Sequence, residues 1–151
     1  MRKYYFFLFC LFLWNIFPIY GITKINDHKQ TDWTPVIEAI IKVESRGNEK
    51  AVSKDGKCVG AMQIQKIVVD DCNEYLKSKK SKKRFTYDDR YSKEKSIQMF
   101  YLIQERYNKT NDIEKGIRIW NGGPLGYKYK STIPYYNKVL NKLKKTNEIN
   151  H

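Results

Sequence analysis

One carboxyl side chain, that of Glu44, occupies a position from which it could act as a general acid. Ile37, Ile40 and Ile41 recur at i, i+3 and i+4. Glu44 follows at i+7, which puts its carboxyl on the core-facing side of a predicted helix. The charged form of a carboxyl is poorly solvated among isoleucines, so its pKa should rise until it holds a proton near neutral pH. The alternative is a helix-end glutamate paired with a neighbouring base such as Arg46.

Two glycine-containing polar segments follow Glu44 at long range. The first is Gly-Ala-Met-Gln at residues 60–63, and the second is Trp-Asn-Gly-Gly at residues 120–123. Each would ordinarily be a turn or a loop. Their order behind an apolar-faced glutamate favours loops that border a site containing Glu44.

The elements that would position these groups are predicted to be helices. Thr34 is expected to cap the first helix, with Pro35 at its first position, and Ser92 and Asp112 are expected to cap two later ones. The predicted helices span about residues 34–45, 63–76, 92–107, 112–120 and 133–144. Together, these five helices predict a small, mainly α, lysozyme-like single domain (α+β at most) with a substrate cleft.

The first 21 residues are typical of an export signal. Arg2 and Lys3 precede an apolar run over residues 6–20, which is shorter than the roughly 20 residues of a membrane-spanning helix. We expect a protein of the periplasm or cell envelope, either released or anchored by an uncleaved segment 1–21. Residues 22–32 would be a polar leader, 33–144 the domain and 145–151 a polar tail.

Two cysteines, Cys58 and Cys72, remain after the leader. An even pair in an exported chain favours a disulfide, worth on the order of 3 kcal/mol if unstrained. Two buried free thiols are the alternative. No group of cysteines and histidines has the spacing of a metal site, so neither a metal nor another cofactor is expected.

The chain carries a net charge of +13, which favours adsorption to polyanions. Export makes nucleic acid an unsuitable partner and leaves anionic wall polymer or a membrane surface. The densest basic cluster is a candidate for such contacts, with a solvated loop as the alternative. It comprises Lys77, Lys79, Lys80, Lys82, Lys83 and Arg84.

Taken together, the motifs resemble the soluble lytic transglycosylase (SLT) catalytic domain of the goose-type lysozyme-like superfamily. The family pattern opens with a Glu-Ser pair at a helix end, here Glu44-Ser45. Gly-Leu-Met-Gln follows, here residues 60–63 with Ala61 in place of leucine. Ala-Tyr-Asn-x-Gly-Pro comes next, here residues 119–124 with Trp120 in place of tyrosine. The resemblance covers roughly residues 33–143 and ends on a motif containing Tyr135.

The resemblance implies an enzyme that cleaves peptidoglycan glycan strands without water or metal. Glu44 would protonate the oxygen between N-acetylmuramic acid and N-acetylglucosamine, and as a base it would then promote closure of a 1,6-anhydro ring. Some secretion or conjugation complexes of the envelope use such a domain. The implied substrate-binding residues are Ser45, Met62, Gln63, Trp120, Asn121 and Tyr135. Their ordinary alternatives are a cap for Ser45, core packing for Met62 and a turn for Asn121.

Three alternatives remain open at this point. A lysozyme-type hydrolase would need a second carboxylate, for which the candidates are Asp55, Asp70, Asp71, Asp88 and Asp89. A non-catalytic wall-binding protein would keep the fold but gain nothing from a buried acid. A cationic protein that acts on membranes would lose its activity with salt but keep it after Glu44→Gln.

Overall fold

The computed structural model describes residues 31–149, and the side chains of residues 31–145. The predicted export signal and most of the polar leader lie outside these residues. Five α-helices and three short 3-10 turns make up the described part. The helices are α1 (Thr34–Glu44), α2 (Lys66–Ser78), α3 (Lys93–Tyr107), α4 (Ile113–Gly122) and α5 (Ile133–Ile149). The predicted mainly α domain is therefore confirmed.

Helix α1 forms as its apolar periodicity predicts. Ile37, Ile40 and Ile41 are buried, and Glu44 is the last helical residue. The predicted cap is wrong by one residue, because Thr34 is already helical and Trp33, which makes no side-chain cap hydrogen bond, precedes the helix. The backbone N–H of Thr34 donates instead to Asp32 Oδ1 at 2.9 Å. Asp32 therefore satisfies an N–H that the first turn leaves without a partner.

Two of the predicted caps are present. Ser92 Oγ accepts from the N–H of Lys95, and Asp112 Oδ1 accepts from the N–H of Lys115. Several helix boundaries differ from prediction, since α2 spans Lys66–Ser78, α4 continues to Gly122 and α5 continues beyond residue 144 to Ile149. Boundaries shift in this way because periodicity locates the buried face of a helix better than its ends.

The core forms where α1 packs against α5, α2 against α3, and α4 against both α3 and α5. Buried residues of the segment 59–64 complete it. Phe100 is fully buried, and its ring lies edge-on to Trp33 at 5.4 Å between ring centroids. Residues 45–65 contain no strand, only single bridges that pair Val59 with Val52 and with Ile64. None of the helices in the described range is long and apolar enough to cross a membrane.

Gly60 lets this connecting segment approach the rest of the domain closely. Its φ is +79°, and a Cβ atom at this position would lie 1.9 Å from the carbonyl oxygen of Arg90. The Arg90 side chain is buried and donates to the carbonyls of Tyr87, Lys57 and Ile64. The segment that carries Gln63 is therefore held by the close approach of Gly60 to the Arg90 backbone and by the hydrogen bonds from the Arg90 side chain.

Candidate active site

A cleft of about 920 Å³ opens on the described part of the molecule. Its walls come from the end of α1, the connecting segment 45–65, α2, the later part of α3, and the end of α4 with the residues that follow it. Glu44, Gln63, Trp120 and Asn121 all line it. The motifs that are far apart in the sequence are therefore brought together around one cavity.

Glu44 makes one side-chain hydrogen bond with the described residues. Tyr135 in the first turn of α5 donates its hydroxyl to Glu44 Oε1 at 2.6 Å. Burial raises the pKa of Glu44 above its ordinary value of 4.5, and the hydrogen bond from Tyr135 opposes part of that rise. The pKa of Tyr135 is raised well above 10 by its own burial and by the charge of Glu44. The phenol therefore stays protonated and remains a donor.

The first turn of α5 is itself fixed by polar contacts, which set the position of Tyr135. The Thr132 hydroxyl lies 2.9 Å from the carbonyl oxygen of Gly126 and accepts from Arg118 Nε at 3.0 Å. Arg118 in α4 also pairs with Glu114. This network connects α4, the turn after it and the start of α5. Tyr135 acts on Glu44 and does not itself line the cleft.

Two further residues predicted to bind substrate, like Tyr135, do not line the cleft. Ser45 Oγ donates to the carbonyl of Ala61 at 2.8 Å and accepts from the N–H of Gly47 at 3.1 Å. It therefore connects the end of α1 to the following loop and has no hydrogen bond with Glu44. Met62 is fully buried in the core beneath the cleft, so its side chain cannot reach a sugar. The methionine of this motif therefore contributes to core packing in this protein.

Gln63 lies in the cleft in a constrained conformation. Its φ of 50° is in the left-handed region, which is uncommon for a residue other than glycine. Its amide nitrogen donates to the carbonyl of Gly60 at 3.0 Å. Its amide oxygen accepts no hydrogen bond from the described residues, which leaves this acceptor available.

Trp120 and Asn121 form the opposite wall, at the end of α4. Trp120 packs one side of its ring against Phe100, with 5.3 Å between ring centroids, and its remaining surface lines the cleft. The predicted loop begins later than expected, because α4 continues to Gly122. Asn121 is exposed on this last helical turn and makes no side-chain hydrogen bond with the described residues.

Sequence reasoning missed the wall that α2 contributes. Asp70, Asp71 and Glu74 line the cleft, although α2 carries no family motif. Asp71 Oδ1 accepts from Arg106 Nη1 and from the Tyr107 hydroxyl, each at 2.8 Å. The pKa of Tyr107 is raised to about 12, chiefly by burial and then by this hydrogen bond. The sequence signal that could have indicated this wall is the i, i+4 spacing of Asp70 and Glu74, which places both carboxylates on one face of α2.

The other candidate carboxylates lie elsewhere. Asp55 is exposed and accepts from Ser53 Oγ at 2.6 Å. Asp88 is exposed, and Asp89 accepts from the N–H of Thr86. None of these three lines the cleft.

The predicted disulfide between Cys58 and Cys72 is not formed in this structure, in which both are free thiols. Cys72 lies on the buried side of α2 and its Sγ is 3.7 Å from the carbonyl oxygen of Met99 on α3. Cys58 lies within the connecting segment 45–65 and lines the cleft. Burial raises the pKa of Cys72 to about 12, so this thiol is unreactive. The two cysteines therefore lie in different environments, Cys72 in the core and Cys58 at the cleft.

No cluster of three or more potential metal ligands occurs among residues 31–149. The cleft therefore offers acid–base groups, amides and an aromatic ring. This set can protonate a leaving group and hold a polar, ring-shaped substrate.

The sequence matches the family model described as the transglycosylase SLT domain over residues 22–146. The chain belongs to this family. A search of curated proteins found no match. Membership in the transglycosylase SLT domain family indicates a peptidoglycan lytic transglycosylase, and peptidoglycan is accordingly its substrate.

Proposed function

We propose that this protein is an exported lytic transglycosylase in which Glu44 is both the acid and the base. It would cleave the β-1,4 bond between N-acetylmuramic acid and N-acetylglucosamine and leave 1,6-anhydro ends. The observation that carries the proposal is the Glu44–Tyr135 pair. A half-buried carboxyl with a raised pKa faces a cleft and has a neutral hydroxyl as its donor. A carboxyl in this setting can be protonated when substrate binds.

The reaction then needs no group other than Glu44 to transfer protons. Protonated Glu44 gives its proton to the glycosidic oxygen as the C1–O bond breaks. The acetamido oxygen of the muramyl residue stabilises the positive charge that develops at C1. The Glu44 carboxylate then removes the proton of the C6 hydroxyl of the same sugar while its oxygen bonds to C1. The carboxyl ends protonated, as it began, and water is not consumed.

The remaining cleft residues would hold the glycan. The Gln63 amide oxygen can accept from a sugar hydroxyl or amide N–H, and Asn121 can both donate and accept. The cleft-facing surface of Trp120 can stack on a sugar ring. Ser45 and Met62 support this site from beneath, by connecting and filling the backbone segments that form it.

The lysozyme-type hydrolase is the second candidate, because one observation favours it. Asp70 and Asp71 line the same cleft as Glu44, so a second carboxylate is available to activate a water molecule. Asp71 already accepts from Arg106 and Tyr107 through one oxygen, while Asp70 accepts, among the described residues, only from the Tyr87 hydroxyl, at 3.0 Å. The two mechanisms differ in their products.

Mass spectrometry of the products therefore tests the proposal. Purified peptidoglycan is digested with the chain from Ile22 onward, which contains every described element. The matched variants are Glu44→Gln and Glu38→Gln, the latter on the same helix but paired with Lys93 outside the cleft. We expect 1,6-anhydro ends from the parent protein and from Glu38→Gln, and none from Glu44→Gln. Reducing ends would instead establish the hydrolase, and intact peptidoglycan would favour a non-catalytic binding protein.

Export is a separate part of the proposal and rests on the sequence of residues 1–21. Expression of the full chain in a bacterial host, followed by cell fractionation and N-terminal analysis, would test it. Recovery from the periplasm or envelope supports export, and the mass of the N-terminus distinguishes cleavage from anchoring. Recovery of the full chain from the cytoplasm would contradict it. Affinity capture from envelope extracts would test for a secretion or conjugation complex as a partner.

A further inference from the structure

A second charged feature lies outside the reaction described above. Residues 77–84, which we name the cationic loop, include the end of α2 and the segment that follows it. Six of these eight residues are lysine or arginine, and the other two are serine. The members with positive charge are Lys77, Lys79, Lys80, Lys82, Lys83 and Arg84.

The backbone of the cationic loop is fixed at both ends. The N–H of Ser81 donates to the carbonyl of Leu76 at 3.0 Å, and the N–H of Lys80 to that of Lys77 at 2.9 Å. At the far end, Phe85 is buried, and its backbone exchanges hydrogen bonds with the Asn73 side chain at 2.8 and 2.9 Å. A loop held in this way loses little conformational entropy when it binds a ligand.

Three of the six cations are already used within the fold. Lys79 pairs with Glu105, Lys83 Nζ donates to Gln98 at 2.6 Å, and Arg84 donates to carbonyls of its own loop. The other three side chains are exposed and have no ion pair or hydrogen bond with the described part of the chain. These are Lys77, Lys80 and Lys82.

The cationic loop continues the surface that lines the cleft. Lys77 follows Asp70 by seven residues and Glu74 by three, and both of these line the cleft. Residues at these spacings lie on the same side of a helix. A chain that leaves the cleft along α2 therefore reaches the three free ammonium groups next.

We propose that the cationic loop binds the free carboxylates of the peptide side chains that peptidoglycan carries outside the cleft. The inference rests on the proposed function, because the polymer in the cleft is what brings its own side chains to the loop. The role of this contact is retention on the polymer, and the loop takes no part in the proton transfers at Glu44. A flexible polyanion suits lysines, whose ammonium groups act as mobile point charges.

A membrane is a less suitable partner for this loop. Interfacial binding stabilises a protein mainly by inserting apolar side chains, and residues 77–84 contain none. The nearest ring, that of Phe85, is only 4% exposed. Charge attraction to anionic lipid remains a measurable alternative, so vesicles form one arm of the test.

The test compares two triple variants in the Glu44→Gln protein, so that binding is measured without cleavage. The loop variant is Lys77→Gln, Lys80→Asn and Lys82→Gln, with asparagine at 80 because φ there is 57°. The control variant replaces three exposed lysines of α5 by glutamine and removes the same charge. These are Lys138, Lys144 and Lys145. Binding to peptidoglycan stripped of phosphodiester polymers by hydrofluoric acid is measured by sedimentation at two salt concentrations.

We expect the loop variant to bind about tenfold more weakly than the parent at low salt, as the loss of three exposed ion pairs suggests, with the difference shrinking at high salt. The α5 variant should bind within about twofold of the parent. Amidation of the peptidoglycan carboxylates should weaken the parent to the level of the loop variant. With Glu44 restored, the loop variant should still cleave a short soluble glycan.

Each other result would overturn the inference. Equal losses in the two variants would indicate general charge attraction. A loss seen only with anionic vesicles would assign the loop to a membrane, and a loss seen only before hydrofluoric acid treatment would assign it to phosphodiester polymers. If the Glu44→Gln parent does not bind peptidoglycan at all, the proposed function fails instead, which separates the two outcomes.

Discussion

The two sides of the cleft hold carboxyl groups in opposite surroundings. On one side, Glu44 ends an apolar helix face, and its donor is the neutral hydroxyl of Tyr135. On the other, Asp71 accepts from the Arg106 guanidinium, and Glu74 is more exposed and accepts from the same group. A cationic donor stabilises an ionised carboxylate, whereas burial beside a neutral donor favours a protonated one. The surroundings therefore separate an acid from structural carboxylates that share its cavity.

The largest expected effect comes from removing the ionisable group on each side in turn. Glu44→Gln should lower kcat by about a thousandfold, because general acid–base catalysis contributes on the order of 100- to 10,000-fold. Asp71→Asn should change kcat by less than about threefold, since its partner Arg106 acts in folding and not in proton transfer. Release of soluble muropeptides over time measures both.

Circular dichroism of each variant is the control for folding in that experiment. A thousandfold loss in a folded Asp71→Asn or Asp70→Asn protein would contradict the comparison. It would place a second essential carboxylate on α2 and favour a hydrolase.

The next largest effect concerns the rigidity of the acid-bearing side. Gly60→Ala should destabilise the protein by about 3 kcal/mol, through strain at positive φ and overlap of the new Cβ with the Arg90 carbonyl. Gly47→Ala is the matched control, because Gly47 also has positive φ but no atom within 4 Å of a Cβ. It should cost only about 1 kcal/mol. Urea unfolding measures both, and equal costs would show that the segment can move away from Arg90.

The same contrast explains what could be predicted from the sequence. The stripe of Ile37, Ile40 and Ile41 located Glu44 because periodicity reports which face of a helix is buried. The α2 wall escaped prediction, since α2 carries no family motif. Its cleft-lining residues mix apolar and acidic side chains in no pattern that separates them from a solvated helix surface; they are Ile67, Val68, Asp70, Asp71 and Glu74. Periodicity also could not show that Cys58 and Cys72 are unpaired, or that Met62 is buried in the core, because both depend on contacts between distant segments.

Removal of the neutral donor should have a smaller effect than removal of the acid. Tyr135→Phe should lower kcat by about tenfold, as the carboxyl loses the hydrogen bond that orients it. That hydrogen bond lowers the pKa of Glu44, so its loss should raise the pKa further. Glu44 must be protonated to act as an acid, and activity falls as pH rises through its pKa. The alkaline limb of the pH–rate profile should therefore move to higher pH in the variant.

The shift in the profile separates orientation from packing. Tyr136→Phe is the control, because Tyr136 is the neighbouring half-buried tyrosine and has no hydrogen bond to Glu44. Its profile should coincide with that of the parent. An alkaline limb that moves to lower pH in Tyr135→Phe would mean that another group sets the protonation of Glu44.

The smallest expected effect is a gain of stability that depends on pH. Burial raises the pKa of Glu44 above 4.5 in the folded state, so the folded protein holds this proton more tightly than the unfolded chain. The stabilisation from the protonated carboxyl is complete below pH 4.5 and is lost as pH rises through the folded pKa. Glutamine cannot ionise, so Glu44→Gln should melt a few degrees higher than the parent near pH 7 and at about the same temperature near pH 4. Glu38→Gln, which removes an exposed partner of Lys93, should show no such gain, because an exposed carboxyl is not destabilised by ionising.

Calorimetry across this pH range measures the melting temperatures of the variants and the parent. A Glu44→Gln protein that is less stable than the parent at pH 7 would mean that the ionised Glu44 carboxyl is well solvated and unsuited to be the acid.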